Sequence, residues 1–463
     1  MSAASLKYKG RRFLDTHFSG ESIDSSRIFA LFLPVLVDQA FLVCLNFVNT
    51  AMISSSGVTA VSAVNMIDSI NNFLINVFIA VSTGGTVIVA QYKGNGNDRM
   101  VTKSAAGTVF SVFLMALAIG LFVMIFHGAV LSALFGGAQA DVLSKAKIYI
   151  IGSCTSYCGI AIEEACCGAL RGIGETRSAL MLSVITNCSY VLLNLIFING
   201  FHMSVLGMSI SINISRYLGA VCALIYLVRI NETLHMRLRD LLSFDFGILK
   251  RIFFIGLPYA AEQMFFNGGK LLTQTFIVSL GTYAIAANAI CGSLAMLIQI
   301  PSNALCLTVV TVVGQCMGRR NVNDARKFLR SFILLSSVTF VLMGALILPF
   351  LRPLVSLFNP PGVIVPTIFT IIVINNIAQI PLWAISFVMP SGLRAAGDAK
   401  FTFIVSMLSM WLFRVVLGYI LGVHTPLGII GVWLAMDCEW GVRGAIFLHR
   451  FRGKKWYAHH LID

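Results

Sequence analysis

Charge is what this sequence has least of. Only 11% of its 463 residues are Asp, Glu, Lys or Arg, against about 25% in soluble domains. That shortage excludes a chain of soluble domains. Cysteine and histidine are too scattered to build a metal centre: the eleven cysteines form no C-x-x-C pair, and the eight histidines sit beside none of them. No G-x-x-x-x-G-K-[ST] occurs, so the chain is expected to carry no ATPase of its own. The first 27 residues lack a short apolar run followed by A-x-A, and no cleaved leader is expected. Four connections (54–59, 200–204, 279–283 and 423–427) contain no Lys or Arg at all.

Long apolar runs are abundant instead, with 57% of residues hydrophobic. Twelve reach the roughly 20 residues that span hydrocarbon. They lie at about 28–53, 60–90, 105–127, 142–168, 178–199, 205–228, 252–279, 282–313, 328–351, 363–391, 401–422 and 428–449. Twenty-six of the 33 Lys and Arg fall in the alternate connections, among them Arg394, Lys400 and the N-terminal Lys7, Lys9, Arg11 and Arg12. This asymmetry places both termini in the cytoplasm. It also accounts for the net charge of +14 as topology, with no nucleic-acid partner implied.

The spans come from a duplication. LPVLVDQ at 33–39 returns as LPYAAEQ at 257–263, which aligns Pro34 with Pro258 and Asp38 with Glu262. Gly57 and Gly281, Gln91 and Gln315, and Gly94 and Gly318 keep the same 224-residue offset, and LRGIGET at 170–176 returns as LRAAGDA at 393–399. The predicted fold is an all-α membrane protein, with twelve transmembrane helices in two six-helix lobes related by a pseudo-two-fold along the membrane normal. The expected divisions are a cytoplasmic N-terminal segment (1–27), an N-lobe (28–228), a cytoplasmic linker (229–251), a C-lobe (252–449) and a cytoplasmic tail (450–463).

Ionisable residues inside such spans mark candidate sites. Asp38 lies eleven residues past Arg27, and Glu262 eleven past Arg251. A rise of about 1.5 Å per residue puts both near the bilayer midplane. Each is expected to be paired, or to line water and titrate. Lys270 shares the Glu262 face two turns on, and Asp68 and Glu163 are further candidates. Arg216, Arg414, Asp437 and Glu439 are read as a structural ion-pair set.

VAQYKGNGN, LRGIGET, VGQCMGRRNVNDARK, LRAAGDAKFTF, MWLFRVVLGY and GVWLAMDCEWGVRG together resemble the multidrug and toxic compound extrusion (MATE) family, over about residues 28–452. The resemblance implies an antiporter that exports organic cations or amphipathic drugs in exchange for H+ or Na+ through a central cavity. It implies no cofactor and no enzymatic activity, a small-molecule substrate, and a monomer in the cell membrane. Where bacterial members carry V-D-T and L-D-x-x-L, this chain has Asn49 and Asn194. An amide does not titrate, so coupling is expected at Asp38, Glu262 or another carboxylate, with Asn49, Asn194 and Lys270 lining the cavity. The alternative is a lipid-linked precursor flippase, in which Arg216, Arg414 and Lys270 would contact anionic headgroups.

Overall fold

The computed structural model describes residues 17–54, 56–135, 139–234, 236–241, 245–459 and 461–462. Lys7, Lys9, Arg11 and Arg12 lie outside the described residues, as does the side chain of Asn46. Twelve continuous helical segments correspond one to one with the expected spans. They are α1 (Ser25–Ser54), α2 (Val58–Asn95), α3 (Asp98–Phe135) and α4 (Ala140–Ile173), then α5 (Thr176–Gly200) and α6 (Ser204–Ile230). The second set is α7 (Phe246–Ser279), α8 (Thr282–Gly318), α9 (Val322–Ser356), α10 (Gly362–Ala395), α11 (Ala399–Val423) and α12 (Ile429–Arg452).

Among the described residues, nine of these are long and apolar enough to cross a membrane by composition alone. The other three, α4, α7 and α12, hold Glu163, Glu262, Lys270, Asp437, Glu439 and Arg443. Their polar residues lower the apolar average, and the same residues are the candidate site. Large apolar side chains such as Phe122, Ile125, Leu342 and Leu346 are at least 60% exposed, as expected of lipid-facing surface.

The duplication is visible in the turns. Gly57 and Gly281 cap the N-termini of α2 and α8 with φ of 91° and 99°. Gly174 and Gly397 end the fourth helix of each set with φ of 94° and 104°. Side chains with a β-carbon rarely adopt this left-handed region. Gly174 also closes α4 by donating to the carbonyls of Leu170 and Arg171, a satisfied C-terminus.

The helices divide into two compact units, Met1–Gln39 with Ala261–Asp463, and Ala40–Ala260. The divisions fall inside α1 and α7, a few residues after Pro34 and Pro258, which both lie within helix. Asp38 and Glu262 thus belong to the same unit.

Within the unit 40–260, small residues let helices approach closely. A β-carbon at Gly152 on α4 would lie 2.6 Å from the Ser209 β-carbon on α6, and one at Gly159 would lie 3.0 Å from the Arg216 backbone. Small residues at a helix interface are a recurrent device in membranes. The beginning of α7 packs there too: a β-carbon at Gly84 would come within 2.7 Å of the Ile252 carbonyl oxygen. Arg251 donates to the Tyr92 hydroxyl.

In the other unit, the segment before α1 is tied to the start of α9. Asp324 accepts from the Ser22 amide at 2.7 Å, and Ser331 Oγ donates to the His17 carbonyl at 2.6 Å. Arg319 donates to the Ser22 carbonyl. Phe18 is 2% exposed and meets Phe332 edge-on. A residue at position 20 larger than glycine would collide with Asp324, at 2.6 Å.

Candidate functional site

The unit 40–260 places one carboxylate among neutral hydrogen-bonding groups. Asp68 on α2 accepts from the Tyr149 hydroxyl of α4 at 3.0 Å, and from Asn71 Nδ2, one turn along its own helix, at 3.3 Å. Asn71 continues the network: it donates to Ser153 Oγ at 3.0 Å and accepts from the Tyr157 hydroxyl at 2.7 Å. Asp68 is half-buried and forms no ion pair among the described residues. A carboxylate with only neutral donors can take up and release a cation without breaking a salt bridge.

Arg216 on α6 donates to Ser156 Oγ at 2.7 Å and acts on Asp68 only through its charge. Among the described residues Arg216 forms no ion pair, so it stands apart from the expected ion-pair set. Glu163 on α4 is buried; a β-carbon at Gly219 would lie 3.0 Å from its Oε2, so glycine there makes room for the carboxylate. Asn194 is 1% exposed beside Tyr190, and neither of its amide atoms has a hydrogen bond of normal geometry. Asn49 Oδ1 is buried without a partner. Buried polar atoms left unsatisfied in this way are rare in folded proteins.

The other unit holds buried charge in two groups. Glu262 on α7 lies 3.1 Å from Arg394 Nη1, and Arg394 Nη2 donates to Ser391 Oγ at 3.0 Å. Arg394 is 5% exposed, in the last turn of α10. The sequence places it in a cytoplasmic connection; the helix instead continues through Ala395, and the guanidinium is buried against Glu262. Asp38 on α1 is buried in the same unit.

Glu439 on α12 is 0% exposed and shared by two arginines, with Oε2 2.7 Å from Arg414 Nη2 and Oε1 2.8 Å from Arg443 Nη1. Arg443 also donates from Nε to Ser386 Oγ at 2.7 Å. Asp437, expected in the same ion-pair set, is not paired with these arginines. It accepts from Asn375 Nδ2 of α10 at 3.0 Å. Two residues apart on a helix point to different faces, so the arginines gathered at Glu439 make no ion pair with Asp437, and Arg414 acts on it only through its charge. Arg414 sits in a π-helical stretch of α11 (Met410–Leu417), and Asn194 immediately precedes the π-helical end of α5 (Leu195–Gly200). Such stretches shift the register of the residues after them and recur at functional sites.

Lys270 follows Glu262 and Phe266 at four-residue intervals on α7, and its Nζ sits 4.7 Å from the Phe266 ring centre. It forms no hydrogen bond or ion pair among the described residues and is exposed.

Sequence reasoning missed Tyr149, Ser153, Tyr157, Asn375 and Arg394. The spacing of Asp68 and Asn71, one helical turn, was the one local signal; the other partners lie 60 to 132 residues away in sequence.

The comparisons agree with the duplication. The sequence model of the MatE family matches twice, at residues 34–198 and 258–420, so the two matches begin at Pro34 and Pro258. The uncharacterized transporter YisQ of Bacillus subtilis is 25% identical over 439 residues, covering 93% of this chain and 94% of the relative. The probable multidrug resistance protein NorM of Thermotoga maritima is 26% identical over 440 residues, covering 92% of each. A solved outward-facing multidrug resistance MATE transporter of the MOP superfamily superposes with a TM-score of 0.84 at 20% identity, over 92% of this chain and 94% of that one. That likeness establishes the two-lobe helical transporter fold. A family model matched twice over most of the chain, on a fold of twelve long helices, makes the chain a member of the MatE, or multidrug and toxic compound extrusion, family of membrane transporters, which is not a class of enzymes.

Proposed function

We propose that this protein is a secondary active exporter, exchanging amphipathic drug-like compounds for H+ or Na+ across the cell membrane by alternating access. The observation that carries this reading is Asp68: an intramembrane carboxylate, half-buried, bonded to Tyr149 and Asn71 and to no cation among the described residues. Asp437, bonded to Asn375, is a second carboxylate of this kind in the other unit. Either could hold a coupling ion in one conformation and lose it in the other, which is how an ion gradient shifts the population between two states.

Glu262 and Asp38 remain in the proposed pathway with altered weight. Glu262 already has Arg394 as its counter-ion, so binding a cation there requires the pair to open. Asn49 and Asn194 supply neutral oxygens suited to a cation or a polar substrate group. The relatives named multidrug resistance proteins support export of small molecules. The charge asymmetry of the connections supports cytoplasmic termini. The flippase reading is weaker, because Arg414 holds Glu439 and Arg216 holds Ser156, which leaves Lys270 alone among its three cations.

The test is efflux from proteoliposomes of fluorescent amphipaths with cationic, neutral and anionic charge, under imposed proton or sodium gradients. One gradient should accelerate export of at least one compound, and the matching ionophore should abolish the effect. Equal fluxes with and without both gradients for every compound would overturn the reading.

A further inference from the structure

Three cations converge on one aromatic ring in the unit containing α7, α11 and α12. Lys270 Nζ, Arg414 Cζ and Arg443 Cζ lie 4.7, 5.1 and 6.0 Å from the centre of Phe266. One carboxylate serves all three, and it is fully engaged: the two oxygens of Glu439 each hold one arginine. No other carboxylate among the described residues comes within ion-pair distance of Lys270, Arg414 or Arg443. Glu262 is matched to Arg394; Asp437 is held by the neutral amide of Asn375 and acts on Arg414 only through its charge. Within ion-pair distance the cluster therefore carries three positive charges against one negative.

Such an excess is costly within hydrocarbon for each central Lys or Arg. Attraction to a ring face offsets only part of that cost, and here one ring is divided among three cations. Snorkelling does not relieve Lys270. It lies nine residues before Ser279, the end of α7, or about 14 Å along the axis, well beyond the reach of a lysine side chain. Its ammonium has three donors and no acceptor among the described residues, yet it is exposed. Aromatic surface lies alongside: Phe266 meets Phe387 edge-on at 6.5 Å, and Phe265 meets Trp411 at 6.4 Å.

We infer that Lys270 is a binding residue for the anionic group of the transported compound, with Arg414 and Arg443 supplying the positive surroundings and the neighbouring rings receiving its apolar part. The ligand class is a small amphipathic molecule that carries a carboxylate or comparable anion together with an aromatic ring. This deepens the exporter reading, and rests on it for the claim that the ligand is cargo. Binding is nevertheless measurable without transport, so the two can fail separately.

The experiment is isothermal titration of the purified protein in nanodiscs of phosphatidylcholine. The probes are biphenyl carboxylate, biphenyl methanol and biphenylmethyl ammonium, which differ chiefly in charge. Wild type should bind the carboxylate about tenfold more tightly than either other probe, the advantage of a charge-assisted contact. Lys270→Gln should erase the preference and Lys270→Arg should retain it, both eluting as monodisperse species with unchanged melting temperature. Equal or tighter binding of the ammonium by wild type, no measurable carboxylate binding, or a preference that survives Lys270→Gln would each overturn the assignment. Loss of carboxylate binding when phosphatidylglycerol is added to the discs would also overturn it, in favour of a lipid headgroup. Carboxylate binding with no gradient-driven efflux would sink the exporter reading and leave the site standing.

Discussion

Glu262 and Arg394, 132 residues apart, form an ion pair of 3.1 Å between α7 and α10 in which both residues are buried. Breaking such a pair from one side strands a charge, at about 3–5 kcal/mol. Glu262→Gln and Arg394→Met should each lower thermal stability strongly. The double variant Glu262→Gln with Arg394→Met should lose less than the two single losses combined. A double-mutant cycle by fluorescence-monitored unfolding in detergent measures the coupling, and additive losses would show that the pair contributes none.

Asp68 differs in kind, being held by Tyr149 and Asn71 alone. Asp68→Asn preserves its shape and removes its charge. Gradient-stimulated export should fall to the ungated rate, while thermal stability changes by no more than about 1 kcal/mol, since no counter-ion is stranded. Tyr149→Phe should retain coupling with a shifted dependence on ion concentration. Transport assays paired with melting curves separate these outcomes.

The segment before α1 depends on Asp324. Asp324→Ala removes the acceptor of the Ser22 amide and should cost about 1–3 kcal/mol, the penalty for a buried donor left without a partner. Cleavage near residues 17–24 by limited proteolysis should become faster than in wild type. An unchanged cleavage rate would show that Phe18 and its apolar neighbours suffice to hold the segment.

At Gly152 α4 packs tightly against α6, with 2.6 Å left for a β-carbon against Ser209. Gly152→Val should destabilise the unit 40–260 by about 1–3 kcal/mol through overpacking. Gly128, with nothing within 4 Å of a β-carbon, is the control at which the same change should be nearly neutral.

Periodic and repeated features were legible in the sequence. Each apolar run corresponds to one helix, whose ends fall within about eight residues of it, and glycines paired by the repeat (57 with 281, 174 with 397) share left-handed turns. Long-range pairing was not legible. Arg394 looked like a loop cation because charge near a turn is ordinarily solvated, and only three dimensions show Glu262 opposite it. Asp437 and Glu439 are expected in one ion-pair set, yet two residues on a helix is just over half a turn, which gives them separate partners. The symmetry of Asp38 with Glu262 suggested one acid for each lobe, whereas both fall in the same unit because the divisions lie inside α1 and α7.

The central claim, obligatory exchange of substrate for an ion, is tested most directly by running the reaction backwards. Coupling free energy acts in both directions, so a substrate gradient imposed across proteoliposomes without any ion gradient should drive H+ or Na+ the opposite way. The readout is a pH-sensitive or sodium-sensitive dye in the lumen. The expected result is ion movement that needs substrate, reverses with the direction of the substrate gradient, and disappears in Asp68→Asn. Substrate equilibration with no movement of either ion would contradict the account.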